Sequence, residues 1–181
     1  GCQFDTWIDE GFSSAAEKIY KGEQITDKTD YFNADYYGDI AQGRRFIAWN
    51  KGSYDSVLGN YAAVYLFFQW LGIQASNGDG IYKEIMNSMY CDYNALWSVK
   101  DRITDFTGST FAELLRDWNI ANLLCDGSGI YGYKGEITTS VHYINSLADN
   151  SSYPETGSTR DMLPGECIYA KATNYTLANA T

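Results

Sequence analysis

Two carboxylates near the start of the chain have a spacing that could serve chemistry. Within residues 7–17, Glu10 and Glu17 are seven positions apart with Ser14 between them. At about 100° per residue they project from nearly the same side of a helix. The apolar residues of this segment share the opposite side, and they are Ile8, Phe12, Ala15, Ala16 and Ile19. That apolar side must pack on a core, so the carboxylates face either solvent or a functional site.

The elements that must position these carboxylates are predicted to be helices. A first helix is predicted over residues 5–20, ending where Gly22 supplies a left-handed cap. Residues 54–75 become apolar on all sides in their second half, which is typical of a helix at the centre of a core. Gln69 and Gly72 interrupt that segment, so we do not expect it to span a membrane.

Further helices are predicted downstream. Apolar residues repeat every four positions over residues 81–89, and another helix is expected from about residue 92. Thr110 and Glu113 have the spacing of a capping box, which opens a helix with one apolar stripe. The chain is therefore predicted to be mainly α-helical.

Two regions lack a helical period. Residues 23–52 are polar and aromatic without a clear repeat, so we predict a surface loop there. Residues 126–181 are rich in glycine at first, and we predict an irregular tail with short strands at 137–143 and 166–172. The domain prediction is a helical subdomain over residues 1–125, with the tail packed on it.

The charge of the chain excludes two classes of partner. The formal net charge is −10 and the sequence pI is about 4.4. Nucleic acids and anionic membrane surfaces both require basic patches, so neither is expected as a partner.

The chain has four cysteines, which are Cys2, Cys91, Cys125 and Cys167. They contain no Cys-x-x-Cys pair, and the sequence is compatible both with disulfides and with buried free thiols.

The sequence Trp7-Ile8-Asp9-Glu10-Gly11-Phe12, followed by small residues and then Glu17, resembles the second zinc-binding helix of gluzincin metallopeptidases. The nearest type is hyicolysin, a secreted bacterial peptidase. In that clan an upstream His-Glu-x-x-His supplies two zinc ligands and the general base, and the Glu of Trp-x-x-Glu-Gly is the third ligand. Residues 106–118 also resemble the C-terminal helical region of these enzymes.

The resemblance implies roles for three residues. Glu10 would bind zinc, and Glu17, two turns later, would orient one of the ligands. These peptidases also place a Tyr or His opposite the zinc to stabilise the oxyanion, and Tyr61 is the best candidate because it opens the helix expected to line the cleft. The fold implied is the helical C-terminal subdomain of a gluzincin catalytic domain.

The sequence departs from the family in its histidines. No His-Glu-x-x-His is present, and the single histidine, His142, lies far downstream, where we expect a surface or strand residue. We therefore expect a C-terminal part of a zinc endopeptidase, with peptide substrates and the upstream half of the same protein as partners. Alone, the chain should be inactive and should not bind zinc tightly. The expected location is extracellular or on a bacterial cell surface.

Two other classes of function remain open from the sequence. Sixteen Tyr and five Trp would suit a helical binding module that stacks on carbohydrate or contacts protein. A glycoside hydrolase using a carboxylate pair could draw on Asp9, Glu10 or Glu17. Binding to a glycan array would favour the first class, whereas inhibition by a zinc chelator would exclude the second.

Overall fold

The computed structural model describes residues 5–35, 47, 49, 54–88, 108–143 and 167–169. Within these residues the chain forms five helices and no strand, which confirms the predicted mainly α-helical fold. The helices are α1 (Thr6–Lys21), α2 (Thr26–Ala34), α3 (Tyr54–Gln74), α4 (Gly80–Ser88) and α5 (Phe111–Leu124). The helix predicted from about residue 92 lies outside the described residues.

Helix α3 is the centre of the core, as its composition predicts. Its residues 62–71 are buried on every side, and α1, α2 and α4 pack against it. Phe67 has edge-on ring contacts with Phe111 and Trp118, so α5 also packs on α3. Trp7 of α1 contacts Phe67 and Phe111, which joins three helices in one aromatic cluster. None of the described helices has both the length and the apolar composition that a membrane span needs.

Helix α1 begins and ends within one residue of its predicted bounds. Gly22 follows it with φ of 72°, and its N–H donates to the carbonyl oxygen of Lys18 at 2.9 Å. A left-handed φ favours glycine, because a Cβ would be strained there. The glycine at position 22 is therefore the local sequence signal that predicts the end of α1.

The buried face of α1 differs from the predicted one. The buried residues are Trp7, Ile8, Gly11, Ser14 and Ala15, whereas Ala16 is exposed and Ile19 is 50% exposed. The face is rotated by roughly a quarter of a turn from the apolar side counted on the sequence. The small residues at positions 11 and 14 explain the rotation, because they let α1 approach α3 closely. Glu10 consequently borders the core instead of lying opposite to it.

Helix α2 corrects the prediction of a loop over residues 23–52. Its N-cap, Ile25, makes no capping hydrogen bond through its side chain, so the sequence carries no start signal. Tertiary contacts stabilise it instead: Ile25 and Phe32, seven residues apart, are both buried in the core. The hydroxyl of Tyr65 on α3 accepts a hydrogen bond from the Ile25 N–H at 2.7 Å and donates one to Gln24 at 2.6 Å.

Helix α5 has the predicted capping box. The Thr110 hydroxyl accepts from the Glu113 N–H, and the Glu113 carboxylate accepts from the Thr110 N–H at 2.8 Å. After α5, residues 126–143 are irregular, and no strand forms over residues 137–143. This segment is fastened by Tyr133, which is fully buried and whose hydroxyl accepts from Trp118 and donates to Asn122.

Candidate functional site

The structure brings Glu10 and Tyr61 together. Glu10 lies on α1 and Tyr61 on α3, and both side chains are half-buried. The Tyr61 hydroxyl donates a hydrogen bond to Oε1 of Glu10 at 3.1 Å. Two residues assigned separately, one as a metal ligand and one as an oxyanion stabiliser, therefore share one place between two packed helices.

The ring of Tyr61 is held by two neighbours that the sequence did not single out. Trp49 meets it edge-on, with ring centroids 4.7 Å apart and planes at 83°. On α2, the ammonium nitrogen of Lys28 lies 4.8 Å from the centroid of the same ring. An aromatic neighbour and a cation–π contact both restrict where the ring can move. These two contacts therefore fix the position of the Tyr61 hydroxyl.

Gly11, the residue after Glu10, explains how α1 comes so close to α3. A Cβ added at this position would overlap the ring of Phe68 on α3. Phe68 is fully buried and also contacts Trp7 and Phe12 edge-on, so its ring has little room to yield. The glycine of the Trp-x-x-Glu-Gly segment thus permits the helix contact that places Glu10 beside Tyr61.

Glu17 lies elsewhere on the surface of α1. It is exposed and pairs with Lys21 at 2.8 Å, one helical turn later. That hydrogen bond and the carboxylate charge raise the pKa of Lys21. Among the described residues, no hydrogen bond or ion pair joins Glu17 to Glu10 or Tyr61. Asp9 is also exposed, and partial burial followed by the charge of Asp5 raises the pKa of its carboxyl.

His142 lies in the irregular segment and contacts α2. Its Nε2 is 2.6 Å from the carbonyl oxygen of Asn33. A carbonyl only accepts, so Nε2 carries the proton and donates to it. That nitrogen therefore offers no lone pair to a metal in this structure.

The residues present fit part of a zinc site. Within the described part of the chain, no group of three or more His, Cys, Asp and Glu side chains is arranged to hold a metal ion. Glu10 offers one carboxylate, which is a suitable third ligand for zinc in a His₂Glu set. A tight site would need two further ligands.

Comparison with known proteins identifies a relative. The chain is 32% identical over 131 residues to the neutral metalloprotease ShpI of Staphylococcus hyicus, a match covering 72% of this chain. The chain spans 29% of the length of that relative. No protein-family profile matches the chain. The similarity supports the relationship to metallopeptidases that the sequence around Glu10 indicates.

Proposed function

Proceeding from this relationship, we propose that the chain is part of a secreted zinc-dependent endopeptidase that hydrolyses peptide bonds. The observation that carries the proposal is the 3.1 Å hydrogen bond from Tyr61 to Glu10. The resemblance implies a metal ligand on α1, Glu10, and an oxyanion-stabilising side chain on α3, Tyr61. Nothing in the sequence requires these two side chains to be in contact. Their contact supports a common site.

In this proposal Glu10 supplies one zinc ligand. The metal, when bound, polarises the scissile carbonyl and lowers the pKa of a water molecule. The Tyr61 hydroxyl donates to the Glu10 carboxylate in the present structure. With Glu10 serving as a ligand, the Tyr61 O–H would donate instead to the substrate oxygen, on which negative charge develops during peptide hydrolysis. Trp49 and Lys28 keep the ring in place while the hydroxyl changes partner.

The remaining parts of the site come, in this proposal, from the upstream part of the same protein. Two histidine ligands and a general base are required, and this chain has one histidine, which is bonded to Asn33 through Nε2. Glu17 orients one of the zinc ligands that the upstream part supplies. In that state the Glu17 carboxylate would bind this ligand in place of Lys21. The division proposed for the chain is a helical C-terminal subdomain over residues 1–125, followed by an irregular tail over residues 126–181 that packs on it.

We expect the isolated chain to be inactive as a peptidase. A single carboxylate does not hold Zn²⁺ against water, and no base is present to activate a nucleophile. The proposed larger protein acts outside the cell or on a bacterial cell surface, where peptides and proteins are its substrates.

Casein cleavage and metal analysis test the proposal. We expect the larger protein to contain zinc, to cleave casein, to lose cleavage when a chelator is added and to regain it when zinc is restored. The 181-residue chain alone should do none of these. Cleavage by the isolated chain, or cleavage by the larger protein that persists after zinc removal, would overturn the proposal.

A further inference from the structure

Lys28 is an unusual cation in this acidic chain. Three basic side chains of the described residues pair with carboxylates: Lys18 with Asp79, Lys21 with Glu17, and Arg116 with Asp117. Lys83 and Lys134 form no such ion pair within the described residues but are exposed, and Lys134 donates to the carbonyl oxygen of Ile73. For Lys28, no ion pair with a carboxylate is found within the described residues. Its ammonium is half-buried on α2 and lies against the ring of Tyr61.

The ammonium group of Lys28 lies close to the proposed catalytic site. Its nitrogen is 4.8 Å from the Tyr61 ring centroid, and the hydroxyl of the same ring is 3.1 Å from Glu10. An extended peptide advances about 3.3–3.6 Å per residue. A peptide whose cleaved bond lies at Glu10 and Tyr61 would therefore bring side chains within one to three residues of that bond close to Lys28.

The contact with Tyr61 leaves the binding capacity of Lys28 available. An ammonium over an aromatic face is attracted by the ring quadrupole and does not use its N–H donors for that attraction. The chain has a net charge of −10, which repels acidic peptides as a whole. A cation beside the site would attract a carboxylate locally, and charge-assisted hydrogen bonds to carboxylates are stronger than neutral ones.

We propose that Lys28 is a specificity-determining residue that binds a carboxylate of the substrate, so that peptides carrying a negative charge within three residues of the cleaved bond are preferred. This inference rests on the proposed peptidase function for the identity of the ligand. The carboxylate has two possible sources, an Asp or Glu side chain and the C-terminal carboxylate of a short peptide. The first source gives an endopeptidase that prefers acidic sequences, and the second gives removal of short C-terminal segments.

Peptide binding tests the inference without depending on turnover. The larger protein is treated with chelator to stop cleavage, and dissociation constants are measured by calorimetry for a set of matched peptides. One peptide carries Glu within three residues of its centre, one carries Gln there, and one carries Gln but ends in a free carboxylate instead of an amide. The proteins are wild type, Lys28→Met, Lys28→Glu and the control Lys83→Met, which removes an equal charge from the exposed side of α4.

We expect wild type and Lys83→Met to bind one of the two carboxylate peptides about tenfold more tightly than the amide Gln peptide. Which one binds tightly identifies the source of the carboxylate. Lys28→Met should reduce that ratio to about one, and Lys28→Glu should reverse it. Equal binding of all three peptides by wild type, no binding of any peptide, or an unchanged ratio in Lys28→Met would overturn the inference.

The two proposals fail in different ways. A carboxylate preference that depends on Lys28, in a protein that never cleaves casein, would leave the binding inference standing and remove the peptidase. Zinc-dependent cleavage without a carboxylate preference would support the peptidase function and remove the inference about Lys28.

Discussion

The Tyr61 hydroxyl on α3 lies 3.1 Å from Oε1 of Glu10 on α1 and donates a hydrogen bond to it. The two residues are 51 positions apart, so only the packing of α1 on α3 brings them together. The same packing depends on Gly11 and the buried Phe68. The candidate site is thus a product of the helix interface.

Tyr61→Phe tests the role of the hydroxyl. The variant keeps the ring against Trp49 and Lys28 but removes the O–H group. We expect kcat for peptide cleavage by the larger protein to fall about 100- to 1,000-fold, as when one oxyanion donor is lost. Zinc content should stay unchanged, because Glu10 is intact. The matched control is Tyr20→Phe, since Tyr20 is 93% exposed. A kcat equal to that of the control would remove Tyr61 from the mechanism.

Gly11→Ala tests the close approach of α1 to α3. Alanine is the better helix former by about 1 kcal/mol, so propensity alone predicts stabilisation. The structure predicts the opposite sign, because the added Cβ overlaps the Phe68 ring, and overpacking typically costs about 1–3 kcal/mol. Denaturant melts of the chain measure the free energy of unfolding. Gly127→Ala is the control, since its Cβ would meet open space. Equal stability of both variants would contradict the packing described.

Leu66→Ala tests the central position of α3. Leu66 is fully buried, and removing a buried leucine side chain costs about 2–5 kcal/mol. Leu124→Ala makes the same chemical change at a side chain that is 58% exposed, and we expect a change within about 0.5 kcal/mol. Urea melts of both variants give the comparison. Similar losses at the two positions would place α3 outside the core.

Thr110→Ala tests the start of α5. Alanine cannot accept the hydrogen bond from the Glu113 N–H, and loss of such a cap costs about 1 kcal/mol. Thr110→Ser keeps a hydroxyl and should retain most of the stability. Thermal or urea unfolding measures both variants. A serine variant as unstable as the alanine variant would show that the hydroxyl is not what stabilises the helix start.

The carboxylate of Glu113 adds a pH dependence to the same cap. Hydrogen bonds from the backbone N–H and the hydroxyl of Thr110 lower the pKa of the Glu113 carboxyl from its usual value. A group with a lowered folded pKa contributes stability above its unfolded pKa and loses it as the pH falls through the folded value. The stability difference between wild type and Glu113→Ala should therefore be full at neutral pH and shrink as the pH falls below the usual pKa of a glutamate. A difference that grows on acidification would contradict this sign.

Local signals predicted several features of the fold. The Gly22 cap, the capping box of Thr110 and Glu113, and the apolar composition of residues 54–75 each act over a few residues, so they are readable from the sequence. Helix α2 was missed because it has no side-chain cap, and it is stabilised by the burial of Ile25 and Phe32 on α3. Such tertiary contacts override local pattern.

The candidate site was predictable only in part. The resemblance of its neighbours to a known zinc-binding segment indicates Glu10, and the position of Tyr61 at the start of a buried helix indicates Tyr61; their roles stay predictions. Nothing in the sequence singles out Lys28, because the polar segment that carries it predicts a loop. The predicted face of α1 was wrong because counting apolar residues ignored Gly11 and Ser14, whose small size determines which side packs.

The zinc content of a Glu10→Gln variant of the larger protein is the most direct test of Glu10 as a zinc ligand. The amide has nearly the shape of the carboxylate but lacks its charge, so we expect bound zinc to fall from about one per protein to a small fraction and cleavage to be abolished. Far-UV circular dichroism should be unchanged, and the control Glu23→Gln, at an exposed position, should keep zinc and activity. Full zinc content and full activity in Glu10→Gln would show that the metal site lies elsewhere.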